Sequence, residues 1–358
     1  MIDWTEAPLV KRLGVDGQAK FNLVSVGPKT EWFEDTMSPR QTTLGAAYTA
    51  GGSTITVATG TGQYFKIGDV LKIDNELMYV SGVNGDTVTV VTGYAGTTNA
   101  NHSNGATVIL ATVARLEGAD YTTGHTTTVE NPFNYTQILE EAVKVSGSQA
   151  KNPEYVADTM SRHIAKLIGG GEGVGSKGKA GKLVILLEQT FFYGRRTAGN
   201  DTSSRAMGGF NQYVTTNITN LSGAALTRRH IEDAMQACYV AGGSPDLLIC
   251  GAWAKRKISG FYEKYITKTQ SEKRGGAFIE TMVTDFGEIE IMYDRWCPEG
   301  ELYIVEADRM GWVTFRPFQV IDRPALGDYE VKEVLGEYTF VLTNEKAHAK
   351  IMNFSTTS

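Results

Sequence analysis

Residues 241–261, AGGSPDLLICGAWAKRKISGF, change local structure three times in a short space. Just upstream, Ile231, Met235 and Cys238 recur at spacings of four and three, which predicts a helix from about Arg228 to Ala241 with one apolar stripe. Thr227 stands where a hydroxyl caps a first turn, and Gly242-Gly243 ends the helix. Ser244-Pro245-Asp246 is a turn. Leu247–Cys250 (LLIC) is short and has no polar alternation, so it predicts a strand buried on both faces. Another helix begins near Ala252. Helices and strands mix here without a regular βαβ rhythm, which predicts an α+β fold.

Toward the N-terminus lies the strongest helix of the chain. Asn152 caps it, Pro153 fits the first turn, and Glu154 complements the dipole. Val156, Met160, Ile164, Leu167 and Ile168 recur every three or four residues and predict a stripe facing the core, closed by Gly169-Gly170-Gly171. Leu183–Leu187 (LVILL) reads as a strand. Toward the C-terminus, residues 267–277 (TKTQSEKRGGA) form a polar loop, and strands pair around Phe286-Gly287. LYIVEA (302–307) is a strand, and residues 313–351 are rich in β-formers.

Composition changes sharply between about Thr42 and Thr112. The runs STITVAT, DVLKID, ELMYVSGV, TVTVVTG and ATVILA are separated by turn residues and predict a small inserted β-barrel or sandwich. Asn84-Gly85 marks a hairpin, since both residues tolerate positive φ. Residues 1–30 lack apolar periodicity and read as an extended arm, followed by the aromatic pair Trp32-Phe33.

The 358 residues carry a net charge of −6, the wrong sign for a dedicated nucleic-acid binder. Forty glycines against nine prolines imply many turns and mobile connections. The three cysteines, Cys238, Cys250 and Cys297, form no disulfide framework and read as small buried hydrophobes. The sequence shows no signal peptide and no run of about 20 apolar residues, so neither export nor a membrane span is expected.

Nothing in the chain predicts catalysis, a metal or a cofactor. GGGEGVGSKGKAG (169–181) contains both G-x-G-x-x-G and G-x-x-x-x-G-K. Phosphate loops of either kind need a strand before the glycines and a helix after them, whereas here a helix is expected before and a strand after. Ala180 also occupies the position of the magnesium-binding hydroxyl. The five histidines are scattered, and the basic groups, Arg195-Arg196 among them, are local enough to serve as contacts to a neighbouring protein. Trp32, Phe33, Arg195 and Arg196 are the candidate interface residues, beside the helical core positions Val156, Met160, Ile164 and Leu167.

Five stretches in order then resemble a known family. They are NYTQILEEAVKVSGSQ (134–149), TAGNDTSSRAMGGFNQYVTTN (197–217), the opening stretch, VTDFGEIEIMYDRWCPEGELYIVEAD (283–308) and GDYEVKEVLGEYTFVLTNEKAHAKI (327–351). Together they resemble the major capsid proteins of tailed bacteriophages with the Hong Kong 97 fold, in the branch of the phage SU-ten major head protein.

The resemblance implies an N-terminal arm (1–30), an extended loop (31–41 and 113–133) and a peripheral domain with a long spine helix (134–199). It also implies an axial domain (200–312) and strands returning to the peripheral domain (313–358), with residues 42–112 as an addition. It implies self-assembly as pentamers and hexamers into an icosahedral shell around double-stranded DNA held without sequence-specific binding. Scaffolding, portal and decoration proteins are the implied partners, with no membrane. The implied location is the virion capsid, assembled in the host cytoplasm. A tail or decoration component is the alternative structural role.

Overall fold

The computed structural model describes residues 7–14, 27–35, 39–115, 117–118, 129–148, 159–169, 181–262 and 280–357. Its described helices are α1 (Pro8–Leu13), α2 (Thr159–Ile168), α3 (Lys182–Tyr193), α4 (Phe210–Tyr213), α5 (Arg228–Val240) and α6 (Ala252–Tyr262). The first strands are β1 (Lys29–Glu31), β2 (Gln41–Thr43), β3 (Thr54–Thr56), β4 (Asp69–Ile73), β5 (Glu76–Asn84), β6 (Thr87–Val91) and β7 (Thr107–Val113). They continue as β8 (Phe133–Tyr135), β9 (Gln137–Ser146), β10 (Ile218–Asn220), β11 (Leu247–Cys250), β12 (Glu280–Thr284) and β13 (Gly287–Tyr293). The last are β14 (Glu301–Val305), β15 (Met310–Arg323), β16 (Tyr329–Leu342) and β17 (Ala349–Met352). The chain divides into two units, Met1–Glu34 with Asn131–Ser358, and Asp35–Glu130.

In the larger unit the LLIC strand is the pivot. All four residues of β11 are buried, and their period-2 alternation feeds two different cores. Leu247 and Ile249 join a cluster with Leu187, Phe191 and Trp312, while Leu248 and Cys250 join one with Ile231, Met235 and Ile258. β14 repeats the division, Tyr303 and Val305 to the first cluster, Leu302 and Ile304 to the second. The six-stranded sheet, ordered β10-β17-β14-β11-β13-β12, therefore lies between two apolar layers. α5 and α6 supply one and α3 and α4 the other.

A second sheet, β15-β16-β9, is three-stranded and antiparallel. Its 14-residue strands β15 and β16 each span roughly 46 Å. Met310, Trp312, Phe340 and Leu342 are buried at one end, whereas Leu326, between the strands at the other end, is 96% exposed. The β15–β16 register shifts between Thr314 and Arg316 and again between Arg316 and Gln319. Pro317 sits inside the second irregularity, where its missing N–H leaves no gap in the ladder.

The smaller unit is a β-barrel. Its strands run β2-β7-β4-β5-β6-β3, every pair antiparallel, around Leu71, Ile73, Met78, Val80, Val88 and Val108. A bridge between Leu44 and Val57, with Gly45 N–H donating to Thr56 O at 2.9 Å, joins the two edge strands and closes the sheet. The β5–β6 hairpin turns at Gly85-Asp86, one residue later than Asn84-Gly85, because Asn84 pairs with Thr87. Gly85 supplies the positive φ of 57°, and the Asp86 carboxylate accepts the Gly60 and Gly62 N–H groups, which lowers its pKa.

Three expectations need correction. Leu183–Leu187 is not a strand but the first half of α3. Its buried residues Leu183, Leu187 and Phe191, and Val184, Glu188 and Phe192, repeat every fourth position, as helix periodicity demands. Within residues 1–30, read as an extended arm, Pro8–Leu13 is helical, with Leu9 and Val10 buried in the larger unit's core. β17 pairs with β10 and β14 in the six-stranded sheet, so residues 349–352 do not join the long β15–β16 strands. Asn152, Pro153, Glu154 and Val156 lie outside the described residues, as do 170–180 and 267–277.

Candidate assembly surfaces

Two of the four proposed interface residues, Trp32 and the half-buried Arg196, make contacts within the chain. Trp32, just past β1, is 1% exposed and packs on Val313, Val341 and Tyr213. Its indole N–H donates to Glu34 Oε1 at 2.8 Å. Arg196 stacks 3.9 Å from the Phe133 ring centre and donates from Nη1 to the Phe133 carbonyl at 2.7 Å. The Tyr213 hydroxyl donates to the same carbonyl at 2.9 Å, and burial pushes that phenol's pKa up. Phe33 and Arg195 are exposed. Of the helical stripe, Met160 and Leu167 are buried, and Ile164 packs half-buried against the same core.

Polar residues that the sequence did not single out lock the base of the long sheet. Glu337 is 2% exposed; its Oε1 pairs with Arg205 and its Oε2 with Arg316, the latter at 2.7 Å. The Thr136 hydroxyl donates to the same carboxylate. Nearby, buried Asn134 donates to the carbonyls of Gly208 and Phe340 at 2.9 and 2.6 Å. These groups fix β8, β9 and β16 to the segment before α4.

Apolar surface collects elsewhere on the larger unit. Tyr239 and Val240 at the end of α5 are 61% and 78% exposed, and the Tyr239 ring lies 5.8 Å from Phe286 in the β12–β13 turn. β10 and β12 are the edges of the six-stranded sheet. Such edges and clustered aromatics are what protein contacts use.

Burial pushes the thiols of Cys238 and Cys250 up to about 12 and that of Cys297 higher still, the wrong direction for a nucleophile. Among the described residues no group of three or more His, Cys, Asp or Glu side chains could hold a metal. None of the described helices is long and apolar enough to cross a membrane. The described residues that line the groove along α6 are Trp253, Arg256, Lys257, Gly260 and Phe261.

No curated protein sequence matches the chain. Among solved structures, the capsid asymmetric unit of cyanophage A-1(L) is similar with a TM-score of 0.50 at 10% identity, over 68% of this chain and 85% of that one. A structure of Mycobacterium phage Bobi gives 0.45 at 11% identity, over 68% and 80%. The SrpI encapsulin of Synechococcus elongatus PCC 7942 gives 0.45 at 9%, over 65% and 79%. The sequence itself matches the family described as SU10 major capsid protein over residues 1–355. A family match along nearly the whole chain, on an α+β fold of the Hong Kong 97 kind, makes this protein a member of the SU10 major capsid protein family, a shell-forming structural protein.

Proposed function

We propose that the chain builds an icosahedral phage head as pentamers and hexamers, enclosing double-stranded DNA and meeting scaffolding, portal and decoration proteins. The observation that carries this reading is the family match over residues 1–355. In this reading the six-stranded sheet with α5 and α6 is the axial domain, and α2 with the β15-β16-β9 sheet is the peripheral domain. Phe33 and Arg195 remain as neighbour contacts, and the barrel of residues 35–130 is a module added to the shell subunit. The net charge of −6 suits an inner wall that does not hold packed DNA by non-specific attraction. Many modest contacts repeated over the shell supply its stability. Negative-stain microscopy and sedimentation of the purified chain, alone and with its scaffold, test this. Closed shells or capsomer rings are expected; a stable monomer under both conditions overturns it.

A further inference from the structure

Glu188 on α3 is fully buried, and Asp294, just past β13, is 1% exposed. Both carboxyls accept backbone N–H groups: Val10 donates to Glu188 Oε2 at 3.1 Å with the Leu9 N–H beside it, and Trp296 donates to Asp294 Oδ1 at 2.9 Å. The remaining oxygens, Glu188 Oε1 and Asp294 Oδ2, are buried with no donor. The two carboxyls are neighbours that act directly on each other's ionisation. One proton held between those two orphan oxygens satisfies both at once.

The first partner matters most. Val10 lies in the opening turn of α1, behind Pro8, so the Glu188 carboxyl caps that short helix. Leu9 and Val10 add apolar contact, and Arg12 pairs with Glu290 at 3.2 Å. We propose that the Glu188–Asp294 pair is a proton-controlled latch for residues 8–13, closed while the pair shares a proton and opened when both carboxyls ionise.

Two adjacent buried anions repel each other and have lost their water; lifting α1 off Glu188 lets water back in. The titratable groups that feel Asp294 include Tyr193 on α3 and Cys250, on which Lys255 of α6 also acts; α1 itself carries Lys11 and Arg12 next to Val10 in sequence. Beyond Asp294 come Arg295, Cys297, Glu299 and Glu301. Among the described residues no lysine or arginine forms an ion pair with Glu188 or Asp294, and Arg12 is engaged by Glu290. Burial first, then mutual repulsion, raises Glu188 well above the usual carboxylate range, and burial raises Asp294 as well. The closed state therefore binds more protons than the open one. It is favoured in acid and lost as pH rises through the raised value.

Hydrogen exchange of the segment containing Val10, in the full-length protein from pH 5 to 9 and corrected for intrinsic exchange, is the test. The wild type should open up to about tenfold more per pH unit above the pair's midpoint. Glu188→Gln keeps an acceptor for Val10 and a donor for Asp294 and removes the mutual repulsion, so its corrected profile should be shallower than the wild type's, and the double variant Glu188→Gln/Asp294→Asn, which holds no titrating proton at the site, should be flat. Asp294→Asn removes the repulsion from the other side but leaves Glu188 buried, so its profile should also be shallower than the wild type's, and it serves if the first variant does not fold. A flat wild-type profile, or a wild-type slope retained in the variants, overturns the latch.

Discussion

The side chain of Asn134 pairs with the backbone of Gly208 as a strand would, its Oδ1 accepting the Gly208 N–H at 2.8 Å and its Nδ2 donating to the Gly208 carbonyl at 2.9 Å. Because Asn134 is fully buried, water cannot replace either bond. Asn134→Asp removes the donor and points a carboxylate at two carbonyls. A loss of at least about 3 kcal/mol is expected in urea unfolding of the subunit. A midpoint unchanged from wild type would show that this pairing carries no weight.

Glu337 should be the costliest acid to neutralise in the long sheet. Glu337→Gln leaves Arg205 and Arg316 facing an uncharged partner at a buried site, with an expected cost of about 3 kcal/mol. Arg323→Ala removes an exposed pair with Glu333 further along the same strands and should leave the melting temperature unmoved. Comparing the two variants by calorimetry separates the buried network from the surface pair.

The barrel should be separable, but not at the boundaries the composition suggests. Cutting at 42 and 112 splits β2, which pairs with β7 through Gln41, Thr42 and Thr43. A protein of residues 35–130 alone is expected to melt cooperatively, and the rest, joined by a Gly-Ser linker, to stay soluble and folded. Non-cooperative melting of the isolated piece would count against autonomy.

His348 gives acid sensitivity of the opposite sign to the carboxyl latch. Its imidazole is fully buried, accepts the Glu306 N–H at 3.2 Å, and is held neutral, burial lowering its pKa from 6.5 to about 4. The folded state thus binds fewer protons than the unfolded one between those values. Stability should fall by about 3 kcal/mol as pH drops from 6.5 to 4. His348→Gln should flatten that part of the stability profile measured by denaturant titration.

The strands with short apolar or alternating runs were legible: LLIC, LYIVEA and the barrel runs all form strands where their patterns place them. LVILL was misread because five apolar residues fit a buried strand and a buried helix equally well. The deciding residues lie further on, where Phe191 and Phe192 continue the fourfold spacing by one more turn. Glu188, the one charged residue between Leu183 and Tyr193, was also a signal of a buried carboxyl, but its partner Asp294 is distant in sequence and only folding brings them together. Trp32 shows the same limit. Its aromatic size fits an interface or a core, and only the packing of Val313 and Val341 around it decides for the core.

Among the described residues β10 has β17 as its one neighbour in the six-stranded sheet, and β17 in turn fills the space between β10 and β14. During synthesis that space stays open until residue 352 has left the ribosome, some 130 residues after β10 was made. A chain that stalls or is cut before residue 349 cannot complete the sheet, whatever else it has folded. Chains shortened in that way are expected to lack both the β10–β17 and the β14–β17 pairings.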